Sequence, residues 1–196
     1  MATAILALTL AGCSMTERDR APDGGGLYSG EDIENPCALA DFVPPWAPVP
    51  NADYGSPKPE KRDNGVRLVL ECRLDFESAD SPRVVSTAGI RLEADIFRNR
   101  TNAQSWYLTL KSVNDKSDNG ETVKAIPGLG TQAQAAALAK PGIRGLSATY
   151  DYEIVVLDDN LTVEYTLHAN SDAVGLDEIQ RASIDQVRRV LDRLKS

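Results

Sequence analysis

The stretch ATYDYEIVVLDDNLTVEYTLHA, residues 148 to 169, constrains the fold of this chain more than any other. Two alternating runs flank Asp158-Asp159-Asn160, which is the turn chemistry of a β-hairpin. Side chains alternate between the two faces of a strand, so one parity of each run must face a core. Two more segments carry the same period. In VRLVLECRLDF the residues Val66, Leu68, Leu70, Cys72, Leu74 and Phe76 share one face, with Arg67, Glu71, Arg73 and Asp75 on the other. In GIRLEADIF the apolar face is Ile90, Leu92, Ala94 and Ile96.

The period changes elsewhere. From Asn99 to Val113, Ala103, Trp106, Tyr107, Leu110 and Val113 recur at helical spacing, which predicts a helix laying Trp106 on the sheet. Leu176, Ile179, Ser183, Ile184, Val187, Leu191 and Leu194 mark one face of a C-terminal helix. Asn35 and Pro36 suit the cap and first position of a short helix through Ala38, Leu39 and Phe42, stopped by Pro44-Pro45. Residues 48 to 64 carry proline and charge and read as a surface loop. VKAIPGLGTQAQAAALA fits a short strand or a helical turn equally well. These elements predict an α+β fold: a largely antiparallel sheet with packed helices, in a single domain.

The first residues predict an address. Ala4 to Leu10 form the apolar core of an export signal, and Leu10-Ala11-Gly12-Cys13 ends it on small residues and a cysteine. Such a cysteine, the lipobox cysteine of bacterial lipoproteins, takes a diacylglyceryl group through its thiol, and the signal is then cut just before it. Residues 14 to 34 hold three consecutive glycines, scattered charge and few apolar side chains, too little to offset the entropy of ordering them. The expected organisation is a signal peptide over 1–12, a lipidated flexible linker over 13–34 and an extracytoplasmic α+β domain over 35–196. With Cys13 assigned to lipid, Cys37 and Cys72 remain, and two cysteines in an exported domain usually pair.

Several function classes fall away. A net charge of −8 offers no basic surface to a phosphate backbone, so no nucleic acid is expected as a partner. No apolar run reaches the roughly 20 residues of a spanning helix. One histidine and no close cysteine pair leave no zinc motif, and no metal or other cofactor is expected. Gly128-Leu129-Gly130 lacks the third glycine of a dinucleotide fingerprint and reads as a turn. His168 shares its parity with Thr162, Glu164 and Thr166, and no serine or cysteine motif stands ready for it to activate, so no catalytic residue is assigned. Residues 145 to 180 hold Asp151, Glu153, Asp158, Asp159, Glu164, Asp172, Asp177 and Glu178 and no Lys or Arg. That stretch is expected to be a solvated sheet face and loop, its functional alternative being a surface for a basic partner or a divalent cation.

From Asn35-Pro36-Cys37-Ala38-Leu39 onward the chain resembles a group of actinobacterial lipoproteins, domain of unknown function 3558. The resembling features are the lipobox at Cys13, the polar linker, the Pro-Cys-Ala-Leu start, Cys72 on the first strand, the Gly128-Leu129-Gly130 turn and a final helix ending near Leu194. The resemblance implies no catalytic residues. The expected function is a non-catalytic binding or sensing domain, lipid-anchored on the extracytoplasmic face of the cell membrane, with an unknown small ligand. The alternatives are an accessory lipoprotein docking on an envelope protein and, less favoured, a cell-wall hydrolase. An apolar pocket between sheet and helix would favour a small ligand; a flat apolar patch would favour protein docking.

Overall fold

The computed structural model describes residues 26–42, 53–81, 84–115, 120–143 and 146–195. It is an α+β domain, as the patterns predict. A 3₁₀ helix, Pro36–Leu39, precedes eight strands and two helices: β1 Asp53–Tyr54, β2 Lys58–Asp63, β3 Arg67–Ser81, β4 Val84–Phe97, α1 Arg100–Asn114, β5 Thr122–Ala125, β6 Gln132–Lys140, β7 Thr149–Asp158, β8 Leu161–Asn170 and α2 Leu176–Leu194. Every pairing is antiparallel, and the sheet runs β1-β3-β4-β8-β7-β6-β5. β2 lies on the same edge of β3 as β1: Tyr54 pairs with Phe76 and Lys58 with Arg73.

The apolar parities read from the sequence all point to one face. Leu70, Leu74, Phe76, Ile90, Leu92, Ile96, Ile154, Val156, Val163, Tyr165 and Leu167 are buried there under α2, which contributes Ile179, Val187, Val190, Leu191 and Leu194. Each such side chain contributes on the order of 1.5–3 kcal/mol by leaving water. α2 is capped at Gly175, whose amide donates a hydrogen bond to the Glu178 carboxylate at 3.0 Å, while Asp177 and Glu178 complement the positive end of the helix dipole.

α1 lies on the opposite face and covers only one end of it. Ala103 and Tyr107 are buried against Phe97, Val155 and Leu157, with Trp106 and Leu110 packed beside them. Trp106 does rest on the sheet. Val113, predicted to face in, is 64% exposed, and Asn114 is the buried residue of the last turn. Asn99 caps the helix by accepting the Asn102 amide at 2.8 Å.

Three expectations need correction. The short helix at residue 36 is a single 3₁₀ turn that ends at Leu39, before Phe42; Asn35 caps it by accepting the Cys37 amide at 3.0 Å. The segment read as loop to Asn64 contains β1 and β2. β2 has all six residues exposed, and Pro59 and five charges keep this edge from recruiting another strand. The linker expected to stay flexible through residue 34 is packed from residue 26 onward. Tyr28 is buried, bridges to Lys195 and donates its hydroxyl proton to Asp158. The turn residue Asn160 clasps it, accepting the Tyr28 amide at 3.1 Å and donating to the Tyr28 and Phe97 carbonyls at 3.1 and 3.0 Å. Gly26 leaves room for this clasp, since a Cβ there would lie 2.0 Å from the Asn160 side chain.

Cys37 and Cys72 form a disulfide with their Cα atoms 5.0 Å apart. It ties the 3₁₀ turn to β3 on the α2 side. The undecided alanine-rich stretch forms β5, the Gly128–Gly130 turn and β6; Gly128 and Gly130 take left-handed φ angles of 73° and 60°.

Candidate functional site

Because α1 covers only one end of its face, the other end of the sheet is bare. There the polar parities of β3, β4, β8 and β7 lie side by side. Glu71 pairs in register with Glu93, Glu93 with Glu164, and Glu164 with Val155. Three carboxylates thus run across neighbouring strands, and like charges placed opposite one another are unfavourable unless a cation intervenes. Arg91 is that cation. Its guanidinium reaches Glu71 at 2.9 Å and Glu164 at 3.2 Å and also bonds Glu93. Glu71, 2% exposed, receives Arg73 at 2.5 Å and Arg62 at 3.2 Å as well. Burial opposes the Glu71 charge, but hydrogen bonds from Arg91 and Arg73 outweigh it and hold the carboxyl below its ordinary range. Burial works against the Arg91 charge too, and its carboxylates more than compensate, raising its pKa.

Where α1 begins to cover the sheet, Asp95 is 2% exposed. Arg67 bonds its Oδ2 at 2.9 Å and lays its guanidinium 4.3 Å from the Trp106 ring centre. Asp95 Oδ1 makes no well-formed hydrogen bond, the Trp106 indole nearby giving only a weak contact that favours the charged form. Burial, with Glu93 adding to it, pushes this carboxyl up to about 7.

A cavity of about 570 Å³ opens over the bare end. Lys58, Arg73, Arg91, Asp151, Glu153 and His168 are in its wall. Glu153 accepts the Asn114 amide at 2.8 Å, yet burial still raises its pKa. Glu164 is raised by burial and then by the neighbouring Glu153 charge. His168 Nδ1 lies 2.5 Å from Asp151 Oδ1 on the rim, with the ring exposed. Among the basic groups of the wall, Lys58 bonds Asp75 at 3.5 Å, while Arg73 and Arg91 are held by the buried carboxylates. Glu153 has only an amide.

The acidic stretch from 145 to 180 is therefore not one surface. Asp151 and Glu153 line this cavity, and Glu164 holds Arg91 of its wall. Asp158 and Asp159 serve the hairpin turn, bonded to Thr131 at 2.7 Å and Arg100 at 2.7 Å. Asp172 accepts the Ala148 amide at 3.0 Å, and Asp177 and Glu178 belong to the start of α2. The disulfide lies on the opposite face from the cavity, and Cys13 lies outside the described residues. Among the described residues no group of three His, Cys, Asp or Glu is arranged to hold a metal ion, and no helix is long and apolar enough to cross a membrane.

Arg91, Glu93 and Asp95 were not singled out by the sequence, though a signal was there. Val69, Phe97, Val155 and Leu157 sit on the same parity as these charges, and apolar residues on a nominally solvent-facing parity mark a face that is covered in part. No family model, curated protein or solved structure matches the chain.

Proposed function

We propose that this chain is a bacterial lipoprotein whose extracytoplasmic domain binds a polar ligand non-catalytically over the bare end of its sheet. The observation that carries the reading is the cavity of about 570 Å³ lined by Arg73, Arg91, Asp151, Glu153 and His168, with its two arginines fixed by the carboxylate of Glu71. Burying Glu71 and Glu93 costs free energy that a plain solvated face would not incur; both hold Arg91 in the cavity wall, and fixed polar groups in a concavity are what orient a bound molecule. The ligand that complements the wall carries positive charge, because the arginines and Lys58 are already paired while Glu153 is not matched by a cation. A concavity, as opposed to a flat apolar patch, favours a ligand over a docking protein.

The anchor rests on Leu10-Ala11-Gly12-Cys13, and the same motifs carry the proposal of membership in the domain of unknown function 3558 group. The Cys37–Cys72 disulfide supports an oxidising compartment for the domain. A diacylglyceryl group would supply the two chains that stable anchoring needs. The domain adds little membrane affinity of its own, since its net negative charge is repelled by anionic headgroups.

Membrane fractionation tests this. Wild type should need detergent for release, whereas a chain lacking residues 1–13 behind a conventional secretory signal should appear soluble and folded. Retention of that shortened chain on the membrane contradicts the anchor. A photo-crosslinker at His168 that captured a discrete envelope protein, with no small molecule bound, would favour the docking alternative.

A further inference from the structure

A second cavity, of about 460 Å³, lies between α1 and the β5–β6 hairpin, and it shares no lining residue with the polar one. Its chemistry is different. Val123 and Ala125 pair in register with Ala136 and Gln134, so they face the α1 side of the sheet, and Pro127 extends this apolar wall. Tyr107 and Lys111, one turn apart on α1, close the opposite side.

Gln134 lies in the wall at 4% exposure. Lys111 Nζ donates to its Oε1 at 3.1 Å. An ammonium has only donors, so this contact fixes the orientation of the carboxamide, and the NH₂ is the end left over. That Nε2 is buried and has no acceptor. An unsatisfied buried donor is costly, and a protein that keeps one has a use or a compensation for it. Among the described residues the Tyr107 hydroxyl has no side-chain acceptor either, while Lys111 still has a third proton beyond those aimed at Gln134 and at Asp115, 2.7 Å away. One end of the cavity is thus rich in donors, and its sides are apolar.

We propose that this cavity is a second binding site, for a small molecule with an apolar body and an acceptor head, a carboxylate or carbonyl oxygen received by Gln134 Nε2, Tyr107 and Lys111. The site stands independently of the reading of the polar cavity. Molecules with an apolar body and a donor-only head, such as amines, are excluded by it, because the head would meet donors alone.

The test is a two-dimensional NMR titration of the full chain carrying Cys13→Ser, which avoids detergent, with benzoate, benzamide and benzylamine as probes. Benzoate, benzamide or both should bind with a Kd on the order of 1 mM, shifting the Gln134 side-chain amide and the backbone around Val123 and Lys111. Benzylamine should leave these signals in place. Gln134→Met should weaken binding about tenfold or more while raising the Tm, since it deletes a buried donor with no partner. Lys111→Met, at a half-buried position on α1, should weaken benzoate more than benzamide. Benzylamine binding as well as benzoate, no shift with either acceptor-headed probe, shifts confined to other regions, or Gln134→Met with undiminished affinity would each overturn the proposal.

Discussion

Removing the Cys37–Cys72 bridge should be the most costly single change in the first third of the domain. The bridge closes a loop with a sequence separation of 35. In the chain-entropy treatment, cross-linking a loop of that length disfavours the unfolded chain by about 4 kcal/mol. For a chain of this size each kcal/mol moves Tm by about 2–4 °C, so the expected fall is roughly 8–16 °C. The two cysteines are not equivalent in the fold, however. Cys72 is fully buried on β3, whereas Cys37 is half-buried on the 3₁₀ turn. Cys37→Ala leaves a lone thiol in an apolar setting that suits it, and should lose only the cross-link. Cys72→Ala also removes packed volume, and should be the less stable variant of the two. The segment released is still held by Asp41, which bonds Arg189 at 3.2 Å and Arg193 at 2.9 Å, so loosening should be local before it is global. Urea unfolding with and without reductant reads all of this. Reductant should lower wild type to the level of Cys37→Ala and leave that variant unchanged. If Cys37→Ala matches oxidised wild type, or reductant destabilises it further, the reasoning is refuted.

Other outcomes follow from the buried charges of this sheet face. Asp95 is raised from 3.8 to about 7, so the folded chain holds a proton that the unfolded chain has released, and stability should fall as pH rises from about 4 through 7, by at most about 4 kcal/mol. Asp95→Asn should flatten that slope in urea midpoints taken across the range; an unchanged slope would show that Asp95 does not cause it. Glu153→Gln with Glu164→Gln should hold or raise Tm above pH 7, because burial opposes both charges, yet should abolish ligand binding at the bare face; a sharp loss of Tm would show that Arg91 needs Glu164. Arg91→Met leaves Glu93 and Glu164 without their shared guanidinium and should cost about 3–5 kcal/mol, read by the same unfolding curves.

The faces of β3, β4, β7, β8 and α2 were legible because each has one side on the same apolar core, which imprints a clean period. Where that condition fails, so does the pattern. β2 has both faces exposed, so its six residues carry no alternation. β6 is buried on both, and Ala133, Ala135, Ala136 and Ala137 put small residues on both parities. The docking of Tyr28 depends on Asn160, 132 residues away, and no local pattern can announce such a partner. The polar cavity was half legible. Alternation placed Glu71 and Arg73 on a polar face, but how far that face is covered depends on where α1 crosses it, which only Phe97, Val155 and Leu157 hinted at.

The most direct test of the central claim is native mass spectrometry of the protein released from membranes of its own host, comparing wild type with Thr166→Trp, which fills the polar cavity from β8. Wild type should appear as a chain beginning at an acyl-modified Cys13, carrying a non-covalent small-molecule adduct that Thr166→Trp lacks. A chain without acyl modification at Cys13, or an adduct that survives Thr166→Trp unchanged, would contradict the account.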